Sequence, residues 1–198
     1  SRYRSEELIG WKFYFISQMY ISSKITSEFA TWVDSKIQNI ALKRKKCLIL
    51  DLDNTLWGGV LGEEGINGIQ IGGDYPGKAF LYFQEALSAL SKEGIILSVC
   101  SKNNEEDVFE AWEQNPFMVL RKKDFVAIRI NWNDKASNIV ELSKELNIGL
   151  DSMVFIDDNP AERELVKQTL PMVAVPDFPK QAYMLPQFFM QLVRDYFE

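Results

Sequence analysis

Between residues 47 and 175 the chain carries five short, almost unbroken apolar runs: Cys47–Leu50, 95–99, 125–130, Met153–Ile156 and 172–175. None alternates apolar with polar, as a strand with one wet face would. Uninterrupted runs of this length suit parallel strands covered on both sides. Helical patterns separate them, with readable ends. Pro76 precedes an amphipathic stretch over 79–90, and Gly94 stops it. Asn103 with Glu106, and Asn159 with Pro160 and Glu162, have the spacing of N-caps with an acid three residues on. Asp134 precedes a helix running to about Leu146, ahead of Gly149. This alternation predicts a three-layer, Rossmann-like α/β fold on a parallel sheet of about five strands.

The composition changes near Leu42. Before it, Ile25, Phe29, Trp32, Val33, Ile37 and Ile40 recur at helical spacing. We therefore expect a helical N-terminal arm over 1–42 and a catalytic domain over 43–198. The intervening Lys43-Arg44-Lys45-Lys46 reads as a solvated helix end rather than a nucleic-acid patch, because the 198-residue chain is acidic, with 22 basic and 28 acidic residues and a net charge of −6. The aromatic segment 11–21 is interrupted by Lys12, Ser17 and Gln18, so no membrane span is expected. Cys47 and Cys100 are too few for a disulfide framework and suit a reducing compartment, the cytoplasm. Beginning at Ser1 rather than Met, the chain is expected to be a piece of a longer protein, so a targeting signal could precede it.

There is no histidine. Ser-His-Asp and Cys-His catalysis are excluded, and so are histidine metal sites. Acid–base work falls to carboxylates, Lys, Tyr or water. In folds of this class the site lies beyond the carboxyl ends of the strands. The first run ends Asp51-Leu52-Asp53-Asn54-Thr55, with Asp51 and Asp53 of one parity. The fourth ends Asp157-Asp158-Asn159. Four converging carboxylates need a cation, and all-oxygen donors select Mg²⁺. The second run ends Ser101-Lys102-Asn103-Asn104 at a helix start, an anion-binding arrangement. Lys135 opens the helix after the third, where the macrodipole disfavours a cation and a lysine stands out. Together these parts describe phosphoryl transfer. Asp51 would attack phosphorus, Asp53 would protonate the leaving oxygen and later activate water, and Ser101 and Lys135 would hold the phosphoryl group.

These residues resemble the haloacid dehalogenase (HAD) superfamily of phosphohydrolases: Asp51–Thr55 its first motif, Ser101 its second, Lys135 its third, Asp157-Asp158 its fourth. The runs DLDNTLWGG (51–59), CSKNN (100–104), Asn131-Trp132 ahead of Lys135, and FIDDNPAER (155–163) are similar to the FkbH-like branch, over most of 45–176. The resemblance implies Asp51 as nucleophile and Mg²⁺ ligand, and Asp53 as acid/base with its backbone carbonyl on Mg²⁺. Asp157, Asp158 or both would complete the metal site, with Asn54, Thr55, Lys102 and Asn103 as phosphate- and substrate-binding support. About 45 residues separate the first two motifs, which leaves no room for a large cap domain. The glycine-rich stretch 58–73 would form a flap, and Trp57 and Trp132 are possible substrate walls.

FkbH-like proteins take a glyceryl unit from 1,3-bisphosphoglycerate, dephosphorylate it and place it on an acyl carrier protein. That implies an acyl carrier protein as partner and Cys100 as a possible acyl-carrying thiol. Alternation puts Cys100 opposite Ser101, toward the core, where a cysteine acts as a small hydrophobe. The competing functions are a plain phosphatase of a small metabolite or phosphoprotein, and a carrier-binding scaffold on the same fold. No nucleic acid or membrane partner is expected. The aromatic tail Tyr183, Phe188, Phe189, Tyr196 and Phe197 reads as a packing helix.

Overall fold

The computed structural model describes residues 28–34 and 44–198. The chain divides into two units, Ser1–Lys43 and Arg44–Glu198. In the first, residues 28–34 are helical, and the rings of Phe29 and Trp32 stack with centroids 6.0 Å apart. The positions Ile25, Ile37 and Ile40, the segment 11–21, and Lys43 lie outside the described residues. Among the described residues no helix is long and apolar enough to cross a membrane.

The second unit is built on four parallel strands: β1 (Cys47–Leu50), β2 (Ile96–Ser101), β3 (Ala127–Ile130) and β4 (Met153–Ile156), in the order β3-β2-β1-β4. Every residue of β1 and β4 is buried, as expected for strands covered on both faces. The helices are α1 (Leu61–Glu64), α2 (Gly77–Lys92), α3 (Glu105–Gln114), α4 (Lys135–Leu146), α5 (Pro160–Thr169) and α6 (Leu185–Tyr196). One face of the sheet buries Leu48, Leu50, Leu97 and Val99 with Phe83 and Leu87 of α2. The other buries Cys47, Ile49, Cys100 and Phe155 with Ile139 and Leu142 of α4 and Val166 of α5. The aromatic tail packs on the first face through Phe188, Phe189, Tyr196 and Phe197, with Phe83 of α2 meeting Phe188 and Phe189 of α6 at 6.2 and 6.3 Å, whereas Tyr183 precedes α6 and is exposed.

The fifth expected strand, 172–175, is reduced to one parallel bridge, Val154 to Ala174. Its two hydrogen bonds, Phe155 N–H to the Ala174 carbonyl and Ala174 N–H to that of Met153, begin a ladder that Pro171 and Pro176 confine. Helix ends follow local chemistry. Asp134 caps α4 by accepting from the Ser137 N–H at 2.8 Å, and Asn159 caps α5 through the Ala161 N–H at 2.9 Å. Helix α4 stops two residues before Gly149, at Asn147, which takes the left-handed conformation (φ 52°). Helix α3 starts one residue later than expected. Asn104 is its N-cap, without a side-chain cap, and Asn103 is engaged elsewhere.

Candidate active site

Strand register brings the acidic residues together. Leu50 pairs with Ile156 across β1 and β4, so Asp51 and Asp157 leave the sheet side by side. The Asp51 N–H continues the ladder to the Ile156 carbonyl at 3.0 Å. This is also where the strand order reverses, since β2 and β3 lie on one side of β1 and β4 on the other. Asp51, Asp157 and Asp158 each offer an oxygen within 4.8 Å of the others.

Lys135, the first residue of α4, is only 3% exposed. Its ammonium bridges Asp51 Oδ1 at 3.1 Å and Asp157 Oδ2 at 2.5 Å. Burial opposes its charge, but the carboxylates of Asp51 and Asp157 outweigh that and hold it above its ordinary range. Burial raises Asp51, opposed by Lys135, the Ser101 hydroxyl and the Leu52 backbone. Asp157 and Asp158 are each pushed up to about 6, by burial first and by a neighbouring carboxylate second. Two of the three clustered carboxylates pair with one ammonium, and the three with Lys135 carry a net charge of −2 when all are ionised, in a largely buried setting. Such a deficit is relieved by a hard cation, and the all-oxygen donor set fits Mg²⁺.

Asp53 stands apart from this cluster. Its Oδ1 accepts from the indole N–H of Trp57 at 2.9 Å and the backbone N–H of Leu61 at 3.0 Å, and its Oδ2 from the amide of Asn103 at 2.9 Å. Three aspartate side chains therefore converge, not four. Trp57 is fully buried and anchors Asp53; it does not line a mouth. Trp132, in contrast, is 74% exposed on the loop after β3.

The residues expected to support phosphate binding all have protein partners. Asn54 takes a left-handed turn (φ 54°) and accepts the Gly59 N–H at 2.8 Å. Gly59 itself has φ +91°, and a Cβ there would meet the Glu64 carboxylate, so this turn requires glycine. The buried hydroxyl of Thr55 accepts the Asp158 N–H at 3.2 Å, tying the two acidic loops together. Lys102 pairs with Glu162 at 2.6 Å.

Three contributions were not read from the sequence as parts of a site. Glu162 was taken for a capping acid, yet its Oε1 holds Lys102 and its Oε2 is buried without a hydrogen-bond partner. Arg163 donates to the carbonyls of Asp157 and Asp158 at 2.8 and 2.7 Å and so fixes the β4 loop. A cavity of about 610 Å³ opens beside Asp158, between the 58–76 segment and the 178–185 segment that carries Lys180. The adjacent DDNPAER run was the available signal for the first two; the cavity had none.

Cys100 lies on the face opposite Ser101, fully buried, its thiol 3.8 Å from the Lys135 carbonyl. Burial pushes that thiol up to about 12 and Cys47 to about 11. Neither is a thiolate near neutral pH, so Cys100 behaves as a core residue.

Residues 46–183, which hold every acidic and basic group of the site, match the model of the NLI interacting factor-like phosphatases. The chain belongs to that family. The family is one of phosphatases, and the fold is that of the HAD superfamily. The N-terminal part of the protein BF1531 from Bacteroides fragilis, which contains a phosphatase domain and was crystallised with Mg, is 42% identical over 98% of this chain, with a TM-score of 0.78. The chain spans 51% of that N-terminal part. Two more distant structures share the fold. The HAD domain of the Legionella pneumophila effector Lem4 is 14% identical, with a TM-score of 0.54 over 78% of this chain and 96% of its own. A predicted HAD-like hydrolase from Porphyromonas gingivalis is 12% identical, with a TM-score of 0.54 over 75% and 98%. No curated protein matches the chain.

Proposed function

We propose that this phosphatase-family member is a Mg²⁺-dependent phosphatase that works through an aspartyl-phosphate on Asp51. The observation that carries the reading is the net-negative cluster of Asp51, Asp157 and Asp158 around Lys135 at the strand switch point. Asp51, Asp157 and Asp158 would hold Mg²⁺, and the Asp53 backbone carbonyl would complete the set. Bound there, the ion would neutralise phosphoryl oxygens and let an anionic ester approach a carboxylate.

The chain's own residues divide the remaining work. Asp51 forms a bond to phosphorus as the bond to the leaving oxygen breaks. Ser101 and Lys135 hold the transferring oxygens. Asp53 gives its proton to the leaving oxygen, then takes one from the water that attacks the aspartyl-phosphate and releases phosphate. The hydrogen bonds of Asp53 suit this. Oδ1 already accepts two N–H groups, whereas Oδ2 accepts one and keeps a lone pair for the travelling proton. Phosphate release from phenyl phosphate tests the reading. Hydrolysis that needs Mg²⁺ and disappears with chelator is expected; hydrolysis unaffected by chelator would overturn it.

A finer reading rests on the FkbH-like runs at 51–59, 100–104 and 155–163. On it, the substrate is a small phosphorylated glyceryl compound derived from 1,3-bisphosphoglycerate, in the cytoplasm, and the product is loaded onto an acyl carrier protein. The burial of Cys100 favours the carrier's own thiol as the acyl acceptor. Incubation with 1,3-bisphosphoglycerate and carrier protein, followed by mass measurement, should add a glyceryl unit to the carrier. A carrier of unchanged mass in an active sample contradicts the finer reading and leaves the phosphatase standing.

A further inference from the structure

The cavity beside Asp158 is far larger than the site of bond cleavage requires. It shares Asn54, Gly59 and Asp158 with the acidic loops and has a volume of about 610 Å³. Phe80, Phe178 and Leu185, all buried in the first core, give it an apolar wall. Asp51, Ser101 and Lys135 do not line it, so the groups that would hold the transferring phosphoryl group lie outside this volume, which adjoins them at Asn54 and Asp158.

The charges on its walls are unequal. Asp158 is the single acid among the lining residues, and it belongs to the cation-binding cluster. Against it stand two cations, Arg163 and Lys180. Arg163 is half-buried and fixed, since one guanidinium nitrogen holds the carbonyls of Asp157 and Asp158, and none of its other N–H groups has a bond among the described residues. Lys180 is exposed and makes no ion pair among the described residues. The remaining cations near the site are already committed: Lys135 to Asp51 and Asp157, and Lys102 to Glu162. Once Asp158 is neutralised, the cavity presents two positive charges and an apolar wall.

We propose that this cavity receives the leaving group, and that Lys180 with Arg163 pairs a second anionic group on it. The substrate class is then a phosphate ester whose non-transferred part carries its own carboxylate or phosphate. A neutral leaving group gains only contact with Phe80, Phe178 and Leu185. A charged one adds a charge-assisted hydrogen bond, worth about tenfold in kcat/KM. This assignment rests on the phosphatase reading and deepens it.

Three matched esters provide the test, each read by release of inorganic phosphate with Mg²⁺: phenyl phosphate, 4-carboxyphenyl phosphate and 1,4-phenylene bisphosphate. The unaltered protein should prefer both doubly anionic esters over phenyl phosphate by about tenfold, mainly through KM. Comparing the two also decides between carboxylate and phosphate as the second group. In Lys180→Ala the preference should fall toward unity, and in Lys180→Glu it should invert. Equal use of all three esters by the unaltered protein overturns the proposal, as does a preference that survives Lys180→Glu. Those results leave the phosphatase intact. Failure to hydrolyse any of the three would instead overturn the phosphatase reading, and this proposal with it.

Discussion

The two ends of the sheet are built on opposite terms. At the amino end, charge is matched to backbone. Arg44 donates to the Phe197 carbonyl, Lys45 donates through its ammonium to the Asp151 carbonyl at 2.5 Å and through its N–H to that of Tyr196 at 2.8 Å, and Lys46 N–H reaches Ser152. Each of these three residues has a backbone partner and remains near water. At the carboxyl end three buried or half-buried carboxylates cluster, and one ammonium pairs with two of them. Burial at the first end satisfies polar groups; at the second it concentrates like charge. The lesson is that the amino end serves stability, whereas the carboxyl end holds an electrostatic deficit that a cation and a phosphoryl group would relieve.

The comparison can be broken most forcefully at Asp51. Asp51→Asn should lower kcat on phenyl phosphate by about 10³-fold or more. The same substitution removes one of the crowded charges, so the metal-free protein should unfold at a temperature no lower than the parent's, read by calorimetry. A large loss of stability would mean that Asp51 is structural.

Lys135→Met tests the deficit from the other side. It leaves Asp51 and Asp157 without their ammonium and should destabilise the metal-free protein by about 3 kcal/mol, measured by urea unfolding. Mg²⁺ should restore part of that loss.

Metal and pH sharpen the contrast further. Asp157 and Asp158 sit near 6 in the fold, above the ordinary 3.8. The folded state therefore binds protons more tightly than the unfolded chain. Without metal, stability should fall as pH rises from about 4 through about 6, and the full penalty remains above that. Mg²⁺ takes the ionised forms, so the rise in melting temperature that it causes should be a few degrees near pH 7.5 and shrink below about pH 6. A rise of equal size at pH 5 would contradict the assignment of these carboxylates to the metal.

The smallest effect belongs to the amino end. Lys45→Ala should cost no more than about 1 kcal/mol in urea unfolding and leave kcat/KM for phenyl phosphate within twofold of the parent's. A large change in activity would mean that the two ends are coupled.

How much of this was legible depended on regularity. Strands β1 and β4 were readable because residues buried on both faces must be apolar throughout, as Cys47–Leu50 and Met153–Ile156 are; β2 and β3 were readable from runs that are mostly apolar. Their order along the chain placed Asp51, Ser101, Lys135 and Asp157 at one edge, because parallel strands put all their carboxyl ends together. The run 172–175 misled because apolar composition does not report the prolines' effect on a ladder. Beyond the strand ends the period of two is lost, and side-chain direction is set by turns. Asp53 therefore left the acidic cluster for Trp57, Leu61 and Asn103, and Trp57 went inward. The pairing of Lys102 with Glu162 and the cavity at Lys180 join segments distant in sequence, which no local pattern encodes.

The nucleophile is the centre of the account, and chemical trapping tests it most directly. Borohydride added during Mg²⁺-dependent turnover of phenyl phosphate reduces an acyl phosphate to an alcohol, which converts the modified aspartate to homoserine. Peptide mass analysis should then find homoserine at position 51 alone, and only when substrate and Mg²⁺ are both present. Homoserine at position 53, or an unmodified Asp51 in a sample turning over substrate, would contradict it.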